Sequence, residues 1–141
     1  MANEYSGVHR SVALAALLSV REGAKAIDFY KAAFGATEVS RIEDPAGAVV
    51  ACLSIRGAEF WLADEAVEYG NFSPASLGGS TVRLVLTVDD PDEVFAAAIA
   101  AGAGEVSPVV DQPYGWRIGR LTDPFGHSWE IGKPLSRSAA D

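Results

Sequence analysis

Asp123-Pro124-Phe125-Gly126-His127-Ser128-Trp129-Glu130-Ile131 joins a turn to a short strand, and its reading decides the fold. Asp123-Pro124 and Gly126 supply turn chemistry, because proline fixes φ and glycine is free to take a positive φ. The residues that follow alternate. Strand side chains repeat with period two, so Trp129 and Ile131 share one face and Ser128 and Glu130 the other. With the Trp129/Ile131 face packed under a helix, Glu130 looks out of the opposite side of the sheet. A carboxylate there meets water, pairs with a cation or serves a site.

Outward from this segment, the chain runs through one series of elements twice. Val12 to Val20 is a first strand, apolar on both faces and therefore expected at the centre of its sheet. Ala24 to Phe34 has helical spacing, with Ile27, Tyr30 and Phe34 on one stripe and Gly35 as its C-terminal stop. Strands follow at about 37–43, 48–55 and 58–63, separated by Pro45-Ala46-Gly47 and Arg56-Gly57 turns. Asp64 to Ser80 lacks periodicity; loops of that length cross between halves or lie over a site. The order then repeats with a strand at 81–88 and a helix opened by Asp90-Pro91-Asp92-Glu93, with Asp90 as N-cap. That helix stops at Gly102, and strands are expected at about 105–110, 116–121 and 128–131. Gly35-Ala36-Thr37-Glu38-Val39-Ser40 recurs with one mismatch as Gly102-Ala103-Gly104-Glu105-Val106-Ser107, 102 − 35 = 67 residues later. Both copies lie at the same helix-to-strand junction, which points to a duplication. The fold class is α+β: two βαβββ modules forming curved mixed sheets around a cavity. They occupy 11–64 and 81–133, joined by 65–80, in one domain spanning 1–141.

At 141 residues the chain is long enough for one core and too short for two independent ones. No apolar run approaches the ~20 residues of a membrane helix. Met1-Ala2-Asn3-Glu4-Tyr5 lacks the basic start of a secretory signal, so a cytoplasmic protein is expected. Cys52, the single cysteine, excludes an internal disulfide and reads as a small buried strand residue. A net charge of −8 without a basic cluster argues against nucleic acid as a partner and serves solubility. No nucleophile motif, phosphate-binding glycine loop or dinucleotide fingerprint is present.

Laying one copy on the other, with a residue or two of gap allowed, pairs Ala15 with Arg83, Val50 with Ile118, Cys52 with Arg120 and Trp61 with Glu130. Parity puts Val82, Leu84, Leu86 and Val88 under a helix, as it does Phe60 and Leu62, and leaves Arg83, Val85 and Thr87 on the other face. The uncovered faces are expected to line a shared concavity through Ala15, Leu17, Val50, Cys52, Trp61, Arg83, Val85, Trp116, Ile118, Arg120 and Glu130. Two readings stay open. Arg83 or Arg120 grips an anionic or carbonyl group of a ligand while Trp61 or Trp116 stacks on its planar part. Alternatively, Arg83 and Glu130 form an internal ion pair in a closed barrel that holds no ligand.

Three features together carry a resemblance: the Asp123 to Ile131 segment, the helix Ala26-Ile27-Asp28-Phe29-Tyr30-Lys31-Ala32-Ala33-Phe34-Gly35-Ala36, and the paired βαβββ order. From Val12 to Lys133 the chain resembles the vicinal oxygen chelate superfamily, which includes glyoxalases, bleomycin-resistance proteins and extradiol dioxygenases. The resemblance implies the glyoxalase/bleomycin-resistance-like fold, in a homodimer or a two-module monomer with a cavity in each barrel. In the superfamily's metal enzymes it implies divalent ions held by His or Glu on the first and last strands of each module. The matching positions are Ala15, Trp61, Arg83 and Glu130, of which only Glu130 can ligate, while Arg83 places a positive charge almost where the metal would sit. In the bleomycin-type register the fifth strand offers Val85, which is no better. His9 precedes the first strand and His127 lies in the turn, each expected as a surface or packing residue.

No metal or other cofactor is therefore expected, and Arg83 is expected to take the metal's place beside Glu130. Three functions follow. One is a binding protein that sequesters a small planar or aromatic molecule, as resistance-type members do, through Trp61, Arg83, Val85, Trp116, Arg120, Glu130 and Cys52. Another is a lyase, isomerase or dioxygenase of the same superfamily, with a metal site aligned differently or with Glu130 as a catalytic acid–base group. The third is a structural module whose cavity is filled by its own side chains. The expected partners are a small organic ligand and a second copy of the chain, with neither nucleic acid nor membrane.

Overall fold

A computed structural model of the chain describes residues 12–136; His9 lies outside them. The first module consists of β1 (Leu17–Val20), α1 (Gly23–Phe34), β2 (Thr37–Glu43), β3 (Val49–Ile55) and β4 (Ala58–Asp64). A 3₁₀ turn (Val67–Tyr69) and a one-turn helix α2 (Pro74–Leu77) structure the connection. The second module repeats the order as β5 (Arg83–Thr87), α3 (Pro91–Ala101), β6 (Gly104–Asp111), β7 (Trp116–Thr122) and β8 (Ser128–Pro134). Each module forms a four-stranded mixed sheet, ordered β1-β4-β3-β2 and β5-β8-β7-β6, with the first strand parallel to the last. This is the expected βαβββ duplication, and the sheets do not close into a barrel.

The helices form where the sequence signals placed them. Ile27, Tyr30 and Phe34 are buried along α1. That helix ends in a left-handed Gly35 at φ 68°, whose N–H donates to the Lys31 carbonyl while that of Ala36 reaches Tyr30. In α3, Asp90 caps the first turn by accepting from the Glu93 N–H at 3.2 Å, with Pro91 at the first helical position. The repeated hexapeptide carries a structural signature as well: each copy holds a bulge at the same place, between Glu38 and Ser40 in β2 and between Glu105 and Ser107 in β6.

One core serves both modules. α1 packs on α3, Tyr30 stacks on Phe34 and meets Phe60 edge-on, and Trp129 lies 4.8 Å from Phe34 and 5.6 Å from Phe60 between ring centroids. The helix-covered faces of the two sheets therefore share a single interior. Asp123 pins this junction. Its Oδ1 accepts the N–H groups of Phe125 and His127, closing the turn, and its Oδ2 accepts Trp129 Nε1–H at 2.9 Å and the Tyr30 hydroxyl at 2.5 Å. The Tyr30 phenol is held well above its ordinary pKa, first by burial and then by the Asp123 carboxylate. His127 contributes a second tie, its Nε2 lying 2.9 Å from the Ser19 carbonyl oxygen of β1. It is buried, a packing residue that joins the modules.

Three expectations are corrected. The first strand is four residues long rather than nine, and it sits at an edge. Its two-sided apolarity has another cause: Leu18 and Val20 enter the core, whereas Leu17 belongs to the open face and Leu14, 97% exposed, lies before any pairing begins. Val82 does not go under a helix with Leu84 and Leu86, because β5 starts one residue after it and leaves it 65% exposed. The open faces do not line a shared concavity within one chain. Strand side chains alternate, so faces that turn their backs on a common core point away from each other. No helix among the described residues is long and apolar enough to cross a membrane.

Candidate functional site

Hydrogen-bond register builds the open faces. In the first sheet Leu17 lies beside Trp61, Trp61 beside Cys52, and Cys52 beside Ser40. In the second, Val85, Glu130, Arg120 and Ser107 form the corresponding row. Trp61 thus matches Glu130 and Cys52 matches Arg120, as alignment of the two copies predicts. Two residues before Leu17 and Val85, Ala15 matches Arg83. The next row along pairs Val50 with Ala63 and Ile118 with Gly132.

The charges meet on the second sheet. Arg83 Nε–H donates to Glu130 Oε2, and the nearest Arg120 nitrogen lies 3.5 Å from that same oxygen. Glu130 projects from the side opposite Trp129 and Ile131, both buried, so period two holds from Ser128 to Ile131. The Arg83 side chain is 53% exposed, that of Arg120 39% and that of Glu130 18%, which places the cluster on an open surface rather than in a closed barrel. Val85 is exposed beside it, Ile118 is buried one row along, and Trp116 is half-buried at the start of β7, opposite Pro134.

The first sheet carries no formal charge at the matching positions Ala15, Trp61 and Cys52. Leu14, Leu17, Ser40, Cys52, Glu59 and Trp61 help to line an open concavity of about 810 Å³ to which no second-sheet residue contributes. Cys52 is buried, with Sγ 3.8 Å from Glu59 Oε1. Sequence reading missed Glu59 and Ser40, although parity could have found both: Glu59 lies two residues before Trp61 on β4, and Ser40 follows the bulge of β2. A second groove of about 430 Å³ runs between β1 and β5, lined by Leu17, Phe72, Leu77, Val82, Leu84 and His127.

The residues at the metal positions do not fit a divalent ion. Ala15 and Trp61 cannot ligate, and Glu130 is already engaged by Arg83. At about 4 Å, the Arg83 guanidinium repels a dication by roughly 8 kcal/mol at an effective dielectric of 20, which cancels the attraction of one carboxylate at the same distance. Nothing then offsets the loss of the ion's hydration shell. Among the described residues no three His, Cys, Asp or Glu side chains gather as a ligand set.

Comparison with known proteins agrees with this architecture. Residues 12–131 match the family model described as the Glyoxalase/Bleomycin resistance protein/Dioxygenase superfamily. Uncharacterized protein Mb0911c of Mycobacterium bovis is 42% identical over 127 residues, which cover 87% of this chain and 84% of that protein. Among solved structures, TioX from Micromonospora sp. ML1 is 27% identical with a TM-score of 0.66, covering 91% of this chain and 100% of that one. The fosfomycin resistance protein FosX of Listeria monocytogenes shares the fold at 14% identity, with a TM-score of 0.69 over 90% of this chain and 96% of its own. Two βαβββ modules in tandem, with the same bulge and matching strand registers, accord with these matches, and the chain is a member of the glyoxalase/bleomycin resistance protein/dioxygenase superfamily.

Proposed function

We propose that this protein binds a small planar organic molecule on its open sheet faces without a divalent metal. The observation that carries the reading is the Arg83–Glu130 ion pair, at the strand positions that the family resemblance matches to the metal ligands. Arg83 acts there as a fixed cation. Trp61 and Trp116 offer aromatic surfaces, Val85 and Cys52 apolar neighbours, and Arg120 a second guanidinium.

The apolar faces support a homodimer that completes the cavity. Leu17, Ile42 and Val50 on the first sheet and Val85 and Val110 on the second are exposed, apolar positions that a second copy would cover. A second copy places the Trp61 face of one chain opposite the Arg83 face of the other, which two outward-pointing sheets cannot do within one chain.

The test combines elemental analysis with a probe. Protein purified without chelator is expected to carry far less than one equivalent of Ni, Zn, Fe or Mn per chain, and to bind 2-naphthoate or its neutral amide in titration calorimetry with EDTA present. One equivalent of any of these metals, or no heat with either probe, overturns the reading.

A further inference from the structure

We propose that the Arg83–Glu130–Arg120 cluster is a recognition site for one singly charged anionic group, the carboxylate of a planar organic acid whose ring lies against the exposed Val85. This rests on the binding function proposed above and deepens it by naming the ligand's charge.

The charge count is the first argument. Two guanidinium groups share one carboxylate oxygen, leaving 2 − 1 = +1 on an open face. The other clusters carry no such surplus: Arg117 holds both Asp92 and Asp111, and Lys31 and Arg41 share Glu38 while Arg41 also holds Glu43, two cations against two carboxylates. In a protein of net charge −8, a surplus cation next to an apolar floor is a local feature. An ion pair present only to satisfy Glu130 needs one arginine.

Donor geometry is the second. A guanidinium carries five N–H donors, and Glu130 engages only Nε of Arg83 by hydrogen bond. The terminal NH2 groups of Arg83 remain available, as do the donors of Arg120, whose nearest nitrogen stands 3.5 Å from Glu130. A carboxylate bridging the two arginines accepts charge-assisted bonds from both, and these are about twice as strong as neutral ones.

The duplication supplies the third. The equivalent positions of the first sheet are Ala15, Trp61 and Cys52, without a formal charge at any of them. At these three positions only the second half of the repeat is charged, so the sheet itself does not require charges there. Glu130 sets the value of the surplus: with it the site balances one negative charge, and without it two.

Titration calorimetry of the full chain with 2-naphthoate and 2-naphthamide, a charged and a neutral probe of nearly the same shape, tests the proposal. The acid is expected to bind about tenfold or more tightly than the amide, with an affinity that falls as salt rises while the amide's does not. Arg120→Met is expected to weaken the acid about tenfold and the amide by much less. Glu130→Gln is expected to tighten the acid several-fold, with unfolding midpoints confirming that both variants fold. Equal affinity for the two probes overturns the anion site and leaves the planar-ligand reading standing. Binding of neither removes both. Loss of acid binding in Glu130→Gln also refutes the proposal, because Glu130 is then a contact rather than a counter-charge.

Discussion

Replacing Tyr30 by Phe removes one oxygen atom from the junction of the two modules and leaves the ring in place. The packing against Phe34, Phe60 and Trp129 survives, so the change isolates the bond to Asp123. A hydrogen bond to a charged acceptor contributes about 1.5–3 kcal/mol. Asp123 keeps three donors afterwards, from Trp129 and the backbone of Phe125 and His127, so the carboxylate is not left bare. The expected loss is about 2 kcal/mol, equivalent to roughly 6–10 °C in Tm for a chain of this size. Urea unfolding followed by circular dichroism at fixed protein concentration measures it as a lower midpoint with unchanged slope. A pH signature accompanies the loss. The folded phenol titrates above its ordinary value of 10.0, so its contribution is complete below pH 10 and is lost as pH rises beyond it, when the unfolded chain ionises first. The gap between wild type and Tyr30→Phe should therefore close above pH 10. A midpoint within about 0.5 kcal/mol of wild type at pH 7, the scatter of a neutral surface change, refutes the argument. So does a gap that is unaffected by raising the pH.

Two further perturbations probe the connection between modules. Glu65 accepts the Ser73 N–H and the Ser76 hydroxyl, each at 2.8 Å, and these bonds hold its carboxyl down to about 2. Its contribution is complete above its ordinary 4.5 and disappears as pH falls toward 2, so wild type and Glu65→Gln should differ most near pH 6 and converge at pH 2 in urea midpoint. A difference independent of pH contradicts this. Gly126 has φ 94°, and a Cβ there would lie 2.7 Å from Pro74 Cβ, so Gly126→Ala should cost about 1–3 kcal/mol through backbone strain and displacement of α2. An unchanged unfolding midpoint would show that the turn and α2 yield freely.

Much of the candidate site was legible without coordinates because the information is local. Period two along β8 sends Glu130 away from Trp129 and Ile131 whatever that face later meets. The hexapeptide repeat, with a residue or two of gap allowed, leads to the alignment that matches Ala15 with Arg83 and Cys52 with Arg120, and the hydrogen-bond register reproduces it. What escaped was long-range. Nothing near Asp123 in the chain announces that its second oxygen serves Tyr30, 93 residues away. The run from Val12 to Val20 looked central because both its faces are apolar, and a strand whose outer face is open looks the same in sequence as one buried on both sides.

The sequence by itself determined two βαβββ modules in order and which side chains share a face, since caps, turn residues and alternation act over a few residues. Only the tertiary structure decided that both helix-covered faces enter one core, and hence that the open faces look outward. That choice depends on Tyr30, Phe60 and Trp129 meeting across the modules, and apolar rings carry no mark in sequence of which others they will pack against.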